Sequence, residues 1–96
     1  MEPVVGVLKA ELFIADALTL KDRRQVVKSL LDRLTNRLRV AAADLGPDHR
    51  PHNATLAVAA VANEAGHVQK VLDSALRMIE GEPRAVCEHS EVSILT

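Results

Sequence analysis

Residues 54–81 read ATLAVAAVANEAGHVQKVLDSALRMIEG, and the hydrophobic period changes in the middle of this stretch. Over 54–62 the residues alternate between two faces, which is typical of a β-strand with one buried face. Over about 64–80 the apolar residues recur every three or four positions, which indicates an amphipathic helix on a core. Asn63 is a natural N-cap for that helix, and Gly81 predicts its end. We therefore predict a strand followed by a helix.

A second strand–helix unit of the same kind precedes this one. Alternation over 4–14 predicts a strand whose buried face carries Leu8, Ala10, Leu12 and Ile14. Thr19, with Asp22 three residues later, has the spacing of a capping box, so we expect a helix over about 20–38. The apolar stripe of this helix has the same spacing as the stripe of the later one, and it comprises Val27, Leu30, Leu31, Leu34 and Leu38.

The remaining segments complete a familiar pattern. We predict strands over 39–45 and 84–95, and a loop over 46–53, where two prolines and a glycine interrupt the chain. The order βαββαβ with two matching helices indicates an α+β ferredoxin-like sandwich. In that fold two helices cover one face of a four-stranded antiparallel sheet of order 4-1-3-2, so Leu31 and Leu72 should be buried. Ninety-six residues are too few for two cores, and we expect one domain over 1–96.

The composition excludes several classes of protein. With 48% hydrophobic and 26% charged residues the chain is expected to fold, and its net charge of −1 excludes a wholly basic nucleic-acid protein. The longest uncharged apolar run, 54–62, is less than half a membrane span, so we expect no membrane association. A single cysteine fits a reducing compartment, and the acidic start lacks the basic region of an export signal. A cytoplasmic protein is expected.

Neither a metal site nor a catalytic site is indicated. The spacings His49-x-x-His52 and Cys87-x-His89 could suggest metal binding, but structural zinc sites use four ligands, usually with cysteine pairs. We expect no metal and no other cofactor. An acylphosphatase of this fold would carry a glycine-rich loop with an arginine, and 15–20 contains neither. An RNA-recognition motif would need stacking aromatic residues, whereas Phe13 is the only aromatic residue. The chain is therefore not expected to be an enzyme.

Positive charge is concentrated in the first predicted helix. Seven of the twelve basic residues lie within 21–39 against two aspartates, which gives this segment a net charge of +5. Cations on a helix commonly form a solvated face and pair with carboxylates elsewhere. An excess this local is equally compatible with phosphate binding. Both interpretations stay open at this point.

Residues 18–30, LTLKDRRQVVKSL, resemble the YlxP-like family of small bacterial proteins of unknown function. Members carry a Ser/Thr-Leu-Lys-acid-Lys/Arg-Arg run there, followed by Val-Val-Lys-Ser-Leu, and the segments at 4–8 and 54–59 are also similar. The resemblance implies a ferredoxin-like fold. It also implies a ribosome or RNA context, because the family's genes often lie beside those for a translation initiation factor and a ribosome-maturation factor. Many members have Trp-Gln-Arg before strand three, where this chain has Pro-His-Asn at 51–53.

The predicted topology places the start of helix one and the loop 46–53 at the same end of the sheet. The free amides of the first helical turn add partial positive charge there. We therefore predict a non-enzymatic RNA- or ribosome-associated accessory factor that binds phosphate backbone, or a ribosomal subunit, through Lys21, Arg23, Arg24, Lys28 and Arg50.

The alternative is a protein-interaction or self-associating module, such as a homodimer. Its contact would be the open face of the sheet, where the predicted strands place the small side chains Ala41, Ala43, Ala57 and Ala59. Small side chains let a partner surface approach closely.

Overall fold

The computed structural model describes residues 2–95. Its elements in chain order are β1 (Val4–Phe13), α1 (Leu20–Leu38), β2 (Ala41–Gly46), β3 (Asn53–Ala62), α2 (Ala65–Glu80) and β4 (Val86–Leu95). The strands form one antiparallel sheet in the order β2-β3-β1-β4. Both helices pack on the same face of this sheet, which is the α+β ferredoxin-like arrangement. The predicted fold class and strand order are confirmed.

The core lies between the sheet and the two helices. The predicted face of β1 is buried, since Leu8, Ala10 and Leu12 are each at most 2% exposed. Leu72 on α2 is fully buried, as expected. Leu31 is only half-buried, because it lies where α1 overhangs the edge strand β2 and faces a surface groove there. The prediction of a buried Leu31 is therefore corrected.

The start of α1 is fixed by the capping box that the sequence predicts. The Thr19 hydroxyl accepts a hydrogen bond from the Asp22 amide at 3.1 Å, and the Asp22 carboxylate accepts one from the Thr19 amide at 3.1 Å. These two bonds satisfy backbone donors that a helix start leaves free. At the other end Arg39 adopts a left-handed conformation with φ 52°, which stops the helix. As a result β2 begins at Ala41, two residues later than predicted.

Other boundaries also differ from the sequence prediction: β1 ends at Phe13 rather than at 14, and β3 begins at Asn53 rather than at 54. The N-cap of α2 is Glu64 rather than Asn63, and no side-chain hydrogen bond caps this helix. The last strand starts at Val86 rather than at 84, because the Ala85 amide donates to the Glu82 carbonyl at 3.3 Å in a turn. Among residues 2–95, neither helix has the length and apolar content that a membrane span requires.

Close packing of α2 on β1 depends on Gly6. This residue is buried beneath α2, and a Cβ atom built on it would lie 2.8 Å from Cδ1 of Leu72 and 2.9 Å from Cδ1 of Ile94. Atoms in protein interiors do not approach so closely. The absence of a side chain at position 6 therefore sets the distance between α2 and the sheet.

Candidate nucleic-acid interface

The structure brings together the segments that the topology predicts at one end of the sheet. The turn after β1 contacts the β2–β3 loop, since the Ile14 amide donates to the His52 carbonyl at 2.8 Å. The imidazole Nδ1 of His52 lies 3.0 Å from the Ile14 carbonyl oxygen, and its ring stacks on Phe13. The start of α1 joins the same end, because Arg23 reaches the beginning of β3. The predicted site residues are thus carried by neighbouring segments.

Arg23 is bound within the fold and is not part of the surface. Its side chain is 2% exposed and makes a bidentate ion pair with Asp44 of β2, at 2.7 and 2.9 Å. Its Nε donates to the Asn53 carbonyl at 2.6 Å. The hydrogen bonds between the pair raise the pKa of Arg23 and lower the pKa of Asp44. The prediction that Arg23 binds phosphate is corrected: it fastens α1 to β2 and β3, and Asp44 already neutralises its charge.

Lys21, Arg24 and Lys28 do lie together on the surface. All three are exposed and follow one another at intervals of three and four residues on one flank of α1. Lys28 pairs with Asp32 at 2.8 Å, and these side chains are 77% and 56% exposed. Such a solvated pair contributes at most about 0.5 kcal/mol, so an incoming anion can replace Asp32. Within the described part of the chain, no carboxylate pairs with Lys21 or Arg24 at 4 Å or less.

Arg50 lies on a different surface from these three residues. It lines a depression of about 310 Å³ together with Glu11, Thr55 and Glu88. Glu11 and Thr55 are paired in the sheet register and belong to the face that the helices leave uncovered. The β2–β3 loop therefore places Arg50 on the helix-free side of the sheet. The predicted set of five residues is divided, and only Lys21, Arg24 and Lys28 form a continuous cationic row.

A groove separates part of this row from the edge of the sheet. Arg24 and Lys28 line it on the α1 side, Val27 and Leu31 provide apolar surface, and its volume is about 320 Å³. Asp32 and Asp44 line the same groove. Both carboxylates are already paired, Asp44 with Arg23 and Asp32 with Lys28, and the cationic row is open to an anion from the solvent side of α1.

The other flank of α1 carries an ion cluster that the sequence analysis missed. The carboxylate of Glu82 is 1% exposed and accepts from Arg33 at 2.6 Å and from Arg84 at 2.8 and 2.9 Å. These hydrogen bonds, with Arg84 the largest cause, lower the pKa of Glu82 to about 2. Arg33 is consequently another basic residue of α1 whose charge serves the fold. The sequence signal was the position of Glu82 between Gly81 and Pro83, where a constrained turn can direct a carboxylate inward.

The thiol of Cys87 is not activated as a nucleophile. Cys87 is half-buried, and burial, reinforced by Glu80, raises the pKa of its thiol. A raised pKa disfavours the thiolate, which is the nucleophilic form of cysteine. Among residues 2–95, no group of three or more histidine, cysteine, aspartate or glutamate side chains is arranged to hold a metal ion.

Comparison with known proteins identifies relatives over most of the chain. The model of a family described as a protein of unknown function, DUF503, matches residues 5–92. An uncharacterized protein, YlxP, of Bacillus subtilis (strain 168) is 29% identical over 80 residues, which cover 83% of this chain and 87% of that protein. A de novo designed protein, Foldit4, has the same fold, with a TM-score of 0.59, 17% identity, and coverage of 99% of this chain and 98% of its own. The predicted resemblance is confirmed, and the chain belongs to the YlxP-like DUF503 family.

Proposed function

We propose that this protein is a non-enzymatic cytoplasmic accessory factor that binds the phosphate backbone of RNA, free or in a ribosomal subunit, through the outer flank of α1. The observation that supports the proposal is the exposed row Lys21, Arg24 and Lys28, with which no buried carboxylate of residues 2–95 pairs. Phosphate contacts of this kind give affinity without base recognition, which fits a protein with almost no aromatic residues.

The dimensions of the row match a nucleic-acid strand. A helix rises about 1.5 Å per residue, so the seven residue steps from Lys21 to Lys28 extend over about 10 Å. That length corresponds to about three nucleotide steps of about 3.4 Å along one strand. Three side chains spread over that length can therefore contact phosphates of neighbouring nucleotides. Because α1 is held to the sheet by the Arg23–Asp44 ion pair, the row is presented on a fixed support.

Arg23 is buried and Arg50 lies on the helix-free side of the sheet, so fewer phosphates are expected to be bound than the five predicted residues would suggest. With about three contacts, the slope of log affinity against log salt should be roughly −2 to −3. The effect of salt thus gives a quantitative check on the size of the site. A slope near −5 would require further cations, among them the exposed Arg37 and Arg39.

The decisive experiment compares two double charge reversals by fluorescence anisotropy with labelled RNA, single- and double-stranded, over a series of salt concentrations. One variant carries Arg24→Glu and Lys28→Glu on α1. The matched control carries Lys70→Glu and Arg77→Glu, which reverse one lysine and one arginine exposed on α2. We expect the α1 variant to lose at least ~10-fold in affinity at low salt. The slope of its log affinity against log salt should become less steep by about 2. The control should bind like the wild type.

Two results would contradict the proposal. One is a wild type that does not bind RNA at low salt, and that also fails to sediment with purified ribosomal subunits. The other is an equal loss of affinity in both variants, which would mean that only the net charge of the protein matters.

A further inference from the structure

The groove between α1 and the edge strand β2 is an apolar depression that opens beside the cationic row. Val27, which is 2% exposed, lies at its bottom, and the half-buried Leu31 provides further apolar surface. Apolar surface that stays in contact with water favours a ligand that covers it. We call this depression the α1–β2 groove, and its lining residues are Arg24, Val27, Lys28, Leu31, Asp32 and Asp44.

Two members of the cationic row also line the α1–β2 groove. Arg24 and Lys28 are exposed, so the same two side chains border the solvent flank of α1 and the groove. Both carboxylates that line the groove already pair with basic side chains, so neither opposes a phosphate with an unpaired charge. A nucleotide carries a charged phosphate and a flat base on one sugar. The row and the groove together therefore offer adjacent surfaces for these two parts of a nucleotide.

We propose that the α1–β2 groove holds one unpaired base of an RNA strand whose phosphates lie on the cationic row. The preferred ligand is therefore single-stranded RNA, including an unpaired loop of a folded RNA. This inference rests on the proposed function, because the row is what brings the strand to the groove. The bases of a duplex are paired and stacked inside it, so a duplex can contact the row but cannot place a base in the groove.

The size and the lining of the groove match one base. Its volume of about 320 Å³ is at the lower end of the range of about 300–1,000 Å³ for small-molecule sites, which leaves room for one ring system. Bases stack on guanidinium planes as well as on aromatic rings, and Arg24 supplies such a plane in a chain with a single aromatic residue. Aliphatic and guanidinium surfaces cover the face of any base without reading its edge. The contact therefore selects single strands and not a sequence.

Fluorescence anisotropy with labelled oligonucleotides of equal length tests the inference. The ligands are an unstructured single-stranded RNA, the same strand in a duplex with its complement, and a strand of abasic sugars with the same number of phosphates. The duplex has the highest density of charge, so charge alone would favour it. We expect the wild type to bind the single strand at least ~5-fold more tightly than either of the other two ligands at the same salt concentration.

Leu31→Gln removes apolar surface from the groove without changing any charge. Its affinity for the single strand should fall at least ~5-fold. Its affinity for the abasic strand and its salt slope should stay those of the wild type, because the phosphate contacts are intact. Leu76→Gln is the matched control, since Leu76 is also a half-buried leucine of a helix but lies on α2. This control should bind all three ligands like the wild type.

Two results would overturn the inference and leave the proposed function standing. One is a wild type that binds the three ligands equally, or the duplex more tightly, while the double reversal of Arg24 and Lys28 still removes binding. The other is a Leu31→Gln variant that binds like its Leu76→Gln control. Thermal unfolding checks that both variants fold, and if Leu31→Gln does not, the preference of the wild type for the single strand over the abasic strand decides. A wild type that binds no RNA would overturn both proposals.

Discussion

The two kinds of basic residue on α1 differ in what surrounds them. The guanidinium groups of Arg23 and Arg33 pair with carboxylates on other elements, Arg23 with one on the sheet and Arg33 with one in the α2–β4 turn. Lys21, Arg24 and Lys28 on the same helix end in solvent, and the one ion pair among them is itself exposed. The sequence presents them as a single cluster of positive charge. The comparison teaches that a local charge excess combines residues that stabilise the fold with residues that are free to bind an anion.

The largest expected effect on stability comes from removing the carboxylate that pairs with the buried Arg23. Asp44→Ala leaves Arg23, 2% exposed, without its counter-charge, and the free energy of unfolding should fall by about 3 kcal/mol. Urea denaturation measures this loss, with Arg24→Ala as the control for an exposed arginine, which should cost less than about 0.5 kcal/mol. Equal losses in the two variants would mean that Arg23 is as well solvated as Arg24.

A smaller loss in the free energy of unfolding is expected when Glu82 is replaced, and this loss depends on pH. The pKa of Glu82 is lowered from 4.5 to about 2 in the folded state, so its contribution is present above pH 4.5 and disappears as the pH falls toward 2. Glu82→Gln should therefore cost about 2 kcal/mol at neutral pH, after allowing for the partly exposed Arg33 and Arg84. Unfolding free energies of wild type and variant should converge at acid pH. Parallel curves would show that Glu82 is not ionised in the fold.

For the exposed residues the expected effect on stability is smaller still. The double change Arg24→Glu and Lys28→Glu should alter the free energy of unfolding by no more than about 0.5 kcal/mol, because surface charges contribute little. The thermal midpoint should therefore stay close to that of the wild type while RNA binding is lost. A large drop in the midpoint would place these two side chains with Arg23 among the residues that hold the fold.

The smallest effect concerns the carboxylate that pairs with Lys28. Asp32→Asn removes the negative charge 2.8 Å from the Lys28 ammonium and leaves a side chain of similar size. The affinity for RNA should rise by about twofold, which corresponds to the weak energy of an exposed helical ion pair. Anisotropy titrations at low salt measure this change. A decrease in affinity would mean that Asp32 holds Lys28 in its binding position.

Much of the fold follows from local rules in the sequence. Alternation identified the buried face of β1, and the capping box of Thr19 and Asp22 identified the start of α1. The site was harder to predict, because contacts between distant segments decide which basic residues belong to it. Arg23 lies near the apolar stripe of α1, but its partner Asp44 is 21 residues away, and the pairing depends on how α1 crosses β2. For Arg50, the direction taken by the β2–β3 loop decides which face it joins, and no local pattern records that direction.

Gly6 offers a way to study the protein in living cells. A methyl group at this position must displace α2 from β1, and overpacking of this kind costs about 1–3 kcal/mol. Native proteins have only about 5–15 kcal/mol of stability, so Gly6→Ala should give a temperature-sensitive allele. The substitution leaves the side chains of the cationic row on α1 unchanged. Shifting a culture between two temperatures would then withdraw the intact protein on demand and reveal which cellular process fails first.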